Sequence, residues 1–245
     1  MERIKLTGAL CLCQCLVAIN CLASEVLVLG HQSMPFCGIV DGRNTGMAVE
    51  ILEEASRYGG PQFSFNLNMS WSDAQASVQR AGNTAVVIIP FTKTPERVNK
   101  FTFIAPLFSH HIRLSTLVHT PPLTSVEGAT DLDVGVLRGS AIIPTLSQLG
   151  FTKLHTATRA EHVAKLLKSG RIQVQAESQW VDTYHWQLIG EDIRRLQIGP
   201  TVGPNLEIYL AGNLSFPKET TIEIQNALNR MRDEGKLEEI LKRWR

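Results

Sequence analysis

Thr92, Thr94 and Arg97 put two hydroxyls and a fixed cation within one short stretch, T-K-T-P-E-R. A guanidinium matches a carboxylate with two parallel hydrogen bonds, so the chemistry on offer is capture of a small organic anion. The residues just before it, Ala85-Val86-Val87-Ile88-Ile89, are continuously apolar and β-branched. Such a run reads as a strand covered on both faces of an α/β sheet, and Pro90 is predicted to end it because proline cannot donate to a ladder. Ligands of open α/β sheets sit beyond the carboxyl ends of strands. Arg97, Thr92 and the backbone at Pro90 are therefore candidate ligand contacts. The competing reading makes Arg97 a surface charge that pairs with Glu96 or caps a helix.

A second set lies at Gly139-Ser140-Ala141, after another apolar run, Val134 to Leu137. A helix predicted from Ala141 to Leu149 would turn its free N–H groups and dipole toward an anion, with Ser140 as donor or plain cap. Phe36, Trp71 and Phe108 could wall a cleft, Phe36 foremost because it follows Pro35; for any single one ordinary core packing is the stronger reading, because aromatics dominate cores. Trp180, Tyr184 and Leu188 recur at helical spacing and are predicted to be core. His110-His111 are neighbours on an extended segment and point apart, so no metal pair is expected and both are read as surface polar residues. No G-x-S-x-G, H-E-x-x-H, phosphate-loop, G-x-G-x-x-G or C-x-x-C motif occurs. No metal, cofactor or catalytic residue is expected, and the chain is read as a binder rather than an enzyme.

These residues must be held by a particular order of elements. Strands are predicted at 26–30, 63–67 and 85–89, with helices at 46–58 and 71–80 between them. That β-α-β-α-β order implies a parallel sheet flanked by helices. A connection rich in Pro and Thr follows at 119–128. A second α/β pattern then begins: strand 133–137, helix 141–149, a helix opened by a Thr158–Glu161 capping box, strand 172–176, helix 179–189 and strand 195–198. Residues 207–211 are read as crossing back, and two helices split by Gly235 finish the chain.

Four stretches in order resemble one family. Phe91 to Phe108, with T-x-T-x-E-R followed by Phe103-Ile104-Ala105-Pro106, is similar to the extracellular solute-binding proteins of family 3, receptors of bacterial ABC uptake systems. Pro35-Phe36 through Leu52, Val134 through Ser140, and Asn226 through Trp244 resemble its opening hairpin and helix, the first strand of its second lobe, and its closing helices. The resemblance implies a two-lobed periplasmic-binding-protein fold (type II-like), each lobe a mostly parallel sheet with flanking helices, joined by a hinge of two crossing segments. It places lobe one at 24–117 and 207–245 and lobe two at 118–206. It makes Arg97 the clamp on the ligand carboxylate and Thr92 its hydroxyl partner. In that family an aspartate after the strand at 172–176 takes the ligand's ammonium group, and counting along the chain puts Ser178 there, with Glu177 able to substitute only if the register slips by one. A ligand without an ammonium group fits these residues as well as an amino acid. The implied partners are a small carboxylate ligand and an ABC permease of the inner membrane, with the receptor a periplasmic monomer. Two alternatives remain open: a dehydratase-like enzyme on the same fold, with Glu177 as general acid, and a sensor for a membrane protein.

Composition narrows the field further. The chain has 245 residues and a formal charge of +1, which gives no electrostatic footprint for nucleic acid. Arg3 and Lys5 before an apolar run to Leu22 read as a cleavable secretory leader over residues 1–23. Four of the five cysteines fall inside it, leaving Cys37 alone and stability dependent on burial.

Overall fold

The computed structural model describes residues 25–244; the leader reading of residues 1–23 lies outside them. Strand β1 (Glu25–Leu29) leads through the hairpin β2 (Gly38–Val40) and β3 (Arg43–Thr45) into helix α1 (Met47–Arg57). Strand β4 (Gln62–Asn66), helix α2 (Trp71–Gln79), strand β5 (Val86–Thr92) and the single turn α3 (Pro95–Val98) follow. Strand β6 (Thr102–Leu117) leads to β7 (Val134–Leu137), α4 (Ile142–Gln148), β8 (Leu154–Ala157), α5 (Ala160–Lys168), β9 (Val174–Ser178) and α6 (Gln179–Leu188). Strand β10 (Leu196–Gly212) and helices α7 (Lys218–Asp233) and α8 (Lys236–Lys242) complete the chain.

Eight strands form one mixed sheet in the order β4-β1-β5-β10-β6-β9-β7-β8. Strands β4, β1 and β5 are mutually parallel at one end, and β9, β7 and β8 at the other. Between them the antiparallel pair β6 and β10 belongs to both ends. Helices cover both faces at each end, as the alternating order requires. At the first end α1, α7 and α8 bury Ile51, Ile224 and Ile240 in one cluster, while α2 buries Trp71, Ala74 and Val78 in another. At the second end α4 supplies Ile142 and Leu146 to one cluster, and α5 supplies Val163 and Leu167 to another.

The structure corrects several sequence readings. Strand β5 runs through Pro90 to Thr92, because its pairing with β10 shifts register between Tyr209 and Ala211 and needs no N–H from the proline. The long strands β6 and β10, of 16 and 17 residues, were not fully anticipated. Their ladder shifts at four points, including those flanking Gly199-Pro200 and Gly203-Pro204-Asn205, so the pair bends rather than lying flat. The capping box does not form: Arg159 occupies the cap position without a side-chain bond, and Glu161 pairs with Lys165 instead. Of the three residues read as core, Leu188 is 55% exposed and Tyr184 half-buried, while Trp180, also half-buried, packs against the first cluster.

One glycine ties this scaffold to the cleft described below. Gly46 has φ +115°, and a Cβ there would lie 2.8 Å from both the Cys37 Cα and the Phe36 carbonyl oxygen. The close approach lets Met47 and Ala48 donate to the carbonyls of Pro35 and Phe36, fixing Phe36 against the start of α1. Gly46→Ala is expected to destabilise the protein by more than ~1 kcal/mol, read as a lowered melting temperature. An unchanged melting temperature would show that this loop does not depend on the contact.

Candidate ligand-binding cleft

The carboxyl ends of β1, β5, β7 and β9 converge on a small cleft with about 50 Å³ of free space. This is the location that sheet topology favours for a ligand. Strands β6 and β10 contribute His110, Ile112, Leu206 and Ile208 to its walls.

Arg97 is held here by local sequence. Pro95 opens the α3 turn, and the carbonyl of Thr94 accepts the N–H groups of Arg97 and Val98. The side chain then folds inward over the ring of Phe91, 4.2 Å from its centroid. Its Nη1 donates to the Thr92 carbonyl at 2.9 Å, and its Nη2 reaches Gly139 of the other end of the sheet at 2.8 Å. Arg97 is 8% exposed, and no carboxylate pairs with it among the described residues. Burial lowers its pKa to about 10, opposed by Glu96. It stays cationic at neutral pH. The surface-charge reading of Arg97 is therefore excluded.

Thr92, Pro90, Phe36, Trp71, Ser140 and Ala141 also line the cleft. Phe36 and Trp71 are nearly fully buried as well, so they serve the core and the wall together. Phe108 packs on Phe36 at 5.0 Å behind the lining. Ser140 does not cap α4 with its side chain: its N–H donates to Leu137, and Ala141 is the cap residue, without a side-chain bond. Ser178 does not line the cleft. Glu177 does, although alternation had placed it on the far side. The strand ends here, and the chain turns into α6 at Gln179, so simple alternation no longer sets direction. The Ser178 N–H donates to Glu177 Oε1 at 2.8 Å.

Burial pushes the Glu177 carboxyl up to about 7, against that N–H bond. Behind it Asp182 is fully buried, accepting from Ser115 Oγ at 2.5 Å and from Gln175 Nε2. Burial raises Asp182 well above the usual carboxylate range, with Ser115 opposing and Glu177 adding to the rise.

Among the cleft residues that sequence reasoning missed are two histidines, His31 and His110. His31 follows the carboxyl end of β1, a position that could have been noticed. His110 was taken for a surface residue, yet it is buried while its neighbour His111 is exposed. Burial pushes His31 down to about 3, with His185 and Arg159 adding to the effect, and His110 down to about 4. Both are neutral at pH 7, and the His31 ring has no hydrogen-bond partner among the described residues. No group of three or more His, Cys, Asp or Glu among the described residues could hold a metal ion. Across the cleft edge, Arg159 Nη2 meets Asn68 Oδ1 at 3.4 Å, a second tie between the two ends of the sheet.

Comparison with known proteins agrees with this geometry. The family model "Bacterial extracellular solute-binding proteins, family 3" matches residues 27–245. The chain belongs to that family. A search of curated protein sequences finds no match. Among solved structures, a histidine kinase sensor domain with similarity to periplasmic binding proteins aligns at TM-score 0.81 and 16% identity, over 90% of this chain and 95% of that one. An ancestral arginine-binding protein bound to arginine gives 0.80 and 18%, over 91% and 99% of the two chains. The arginine-, lysine-, histidine-binding protein ArtJ of Geobacillus stearothermophilus gives 0.77 and 18%, over 90% and 95%. These likenesses establish the periplasmic-binding-protein fold, and the family makes the chain a ligand-binding receptor.

The cleft groups have opposite effects on stability. Glu177 ionises near 4.5 when unfolded and near 7 when folded, so its contribution is lost as pH rises across that window. The buried histidines are depressed below 6.5, so theirs is lost as pH falls from 6.5 toward about 4. Thermal unfolding of Glu177→Gln should show a gain over the parent that grows between about pH 5 and about pH 8. A gain that does not vary with pH would remove the raised carboxyl.

Proposed function

We propose that this receptor closes on a small carboxylate-bearing ligand, an amino acid or related organic acid, and delivers it to an ABC importer of the inner membrane. In this reading residues 1–23 direct export to the periplasm, 24–117 with 207–245 form one lobe, and 118–206 form the other. The observation that carries it is Arg97, a buried cation bonded only to carbonyl oxygens, one from each end of the sheet. Two carbonyl dipoles offset a buried charge incompletely, and a carboxylate would complete it. Thr92 and Ser140 stand beside it as hydroxyl donors, and Phe36 and Trp71 supply apolar walls.

In this reading the ligand's other end meets Glu177 rather than Ser178, which is supported by Glu177 lining the cleft. An ionised Glu177 suits an ammonium group, and a protonated one suits a second acceptor on the ligand. The structural neighbours described as binding arginine fit the first case. Likeness to a histidine kinase sensor domain supports a second reading, in which ligand state is relayed to a membrane protein. Closure on a carboxylate serves both.

A thermal-shift screen of amino acids, keto acids and aromatic acids would find the ligand class, because a ligand that binds only the native state raises its melting temperature. For the best ligand, Arg97→Ala should raise Kd at least ~10-fold, about 1.4 kcal/mol, by titration calorimetry. A smaller loss would mean that Arg97 is no clamp.

A further inference from the structure

Glu177 lines the cleft, and a second carboxyl, that of Asp182, lies behind it, fully buried. We propose that Asp182 is a positioning residue of the receptor site, a neutral acid that pins the corner between β9 and α6 and leaves Glu177 the one carboxyl of the pair able to take a charge. Granted that the cleft is a ligand site, on which this role rests, the ligand's other end meets one negative charge at most and carries a single cationic group or a neutral one.

The sheet brings the partners of Asp182 together. Strands β6 and β9 run antiparallel, with Ser115 opposite Gln175 and Arg113 opposite Glu177. Asp182 reaches the first of these pairs from the opening turn of α6. Ser115 Oγ lies 2.5 Å from its Oδ2, and Gln175 Nε2 donates to its Oδ1. All three side chains are buried. One carboxyl thereby joins two strands to the helix that begins just after Glu177.

No cation offsets Asp182. None of the ion pairs among the described residues includes it. From α5, packed on α6, Glu161 acts on His185. Past the end of α6, Arg194 and Arg195 pair with Asp192 and Glu191. On β6, Arg113 donates to the Gly199 carbonyl. On β9 the neighbour is Glu177, of the same sign. Two acids sharing a dry site do not both ionise. The helix dipole and two neutral donors favour a charge on Asp182, but burial beside Glu177 outweighs them.

The bonding fits a neutral acid. Its O–H finds Ser115 Oγ, since a hydroxyl accepts as well as donates, and its other oxygen receives the Gln175 amide. An ionised carboxylate would offer about four acceptor sites to two donors. Of the two acids only Glu177 lines the cleft, so only Glu177 can be paired by a ligand there. Were Asp182 ionised, its charge would hold the proton on Glu177 and deny an ammonium group its partner.

The test uses the full chain and needs no ligand. Glu177→Gln is added to the parent and to Asp182→Asn, and the pH window over which it raises the melting temperature reports how Glu177 ionises in each. Asparagine reproduces a neutral acid, so the window should be the same in both backgrounds. A charged Asp182 would instead raise Glu177 in the parent, and the window would fall by about one pH unit or more in Asp182→Asn. Asp182→Ala cuts both bonds; as the corner loosens and water reaches Glu177, the window should move toward the ordinary carboxylate range. Gln175→Ala, which cuts one bond, reads the same shift where Asp182→Ala does not fold. The infrared carbonyl band of a protonated carboxyl should be present in the parent at about pH 8, where Glu177 has ionised, and lost in Asp182→Asn. The role is overturned by a lowered window or failed folding in Asp182→Asn, by an infrared band that the substitution leaves in place, or by a window that the alanine variants do not move. Absence of carboxylate binding alongside the expected windows and band would remove the receptor reading alone.

Discussion

A charged guanidinium taken out of water must be stabilised by something, and in this protein the partners of Arg97 come from both ends of the sheet. The Thr92 carbonyl belongs to the strand that carries it, and the Gly139 carbonyl belongs to the turn after β7. A buried cation is expensive unless dipoles or an anion face it. Separating the two ends would remove one of its two carbonyls. The cleft is thus bound to the same charge that would capture a ligand, and the geometry of closing and the chemistry of binding become one problem.

The scaffold that lets the ends meet is the long pair β6 and β10. A strand rises about 3.3 Å per residue, so each spans roughly 50 Å and carries residues of both ends on one ladder. A straight ladder of that length would be stiff. Register shifts interrupt it near Pro106, Pro200 and Pro204, where proline has no N–H to lose. The bends bring His110, Ile112, Leu206 and Ile208 to the cleft while the parallel strands on either side deliver their carboxyl ends to it. Hydrophobic clusters on both faces of each end hold those strand ends in place.

Where period and strand order decide a position, the sequence was enough. The apolar run 85–89 identified β5, and the rule about carboxyl ends led to Arg97, Thr92 and Pro90, which the fold does bring to one cavity. What escaped has physical reasons. The long strands lack clean alternation because prolines, glycines and a histidine pair break it, and only pairing across the sheet supplies their register. The choice between Ser178 and Glu177 turned on the last residue of a strand, where the chain enters a helix and period two ceases to apply. His110 looked like a surface residue because nothing local signals burial. Phe36, whose ring lies 5.1 Å from it edge-on, packs against it from an element far away in sequence.

The cleft that results is polarised by burial as much as by charge. At one pole stands Arg97, which keeps its proton despite desolvation. The same lining holds His31 and His110, which desolvation strips of theirs, and Glu177, which desolvation makes reluctant to lose its own. The same cause acts in opposite directions on acids and bases because it always penalises the charged form. In the proposed reading a ligand carboxylate meets one firm positive charge, in a lining whose other titratable groups are close to neutral and can take either hydrogen-bonding role. In that reading orientation would follow from the asymmetry: the acid end of a ligand would go to Arg97, and its other end would be told apart by whether it induces Glu177 to ionise. An ammonium group pulls that pKa down and gains a partner, whereas a neutral polar group leaves the proton in place and uses it as a donor.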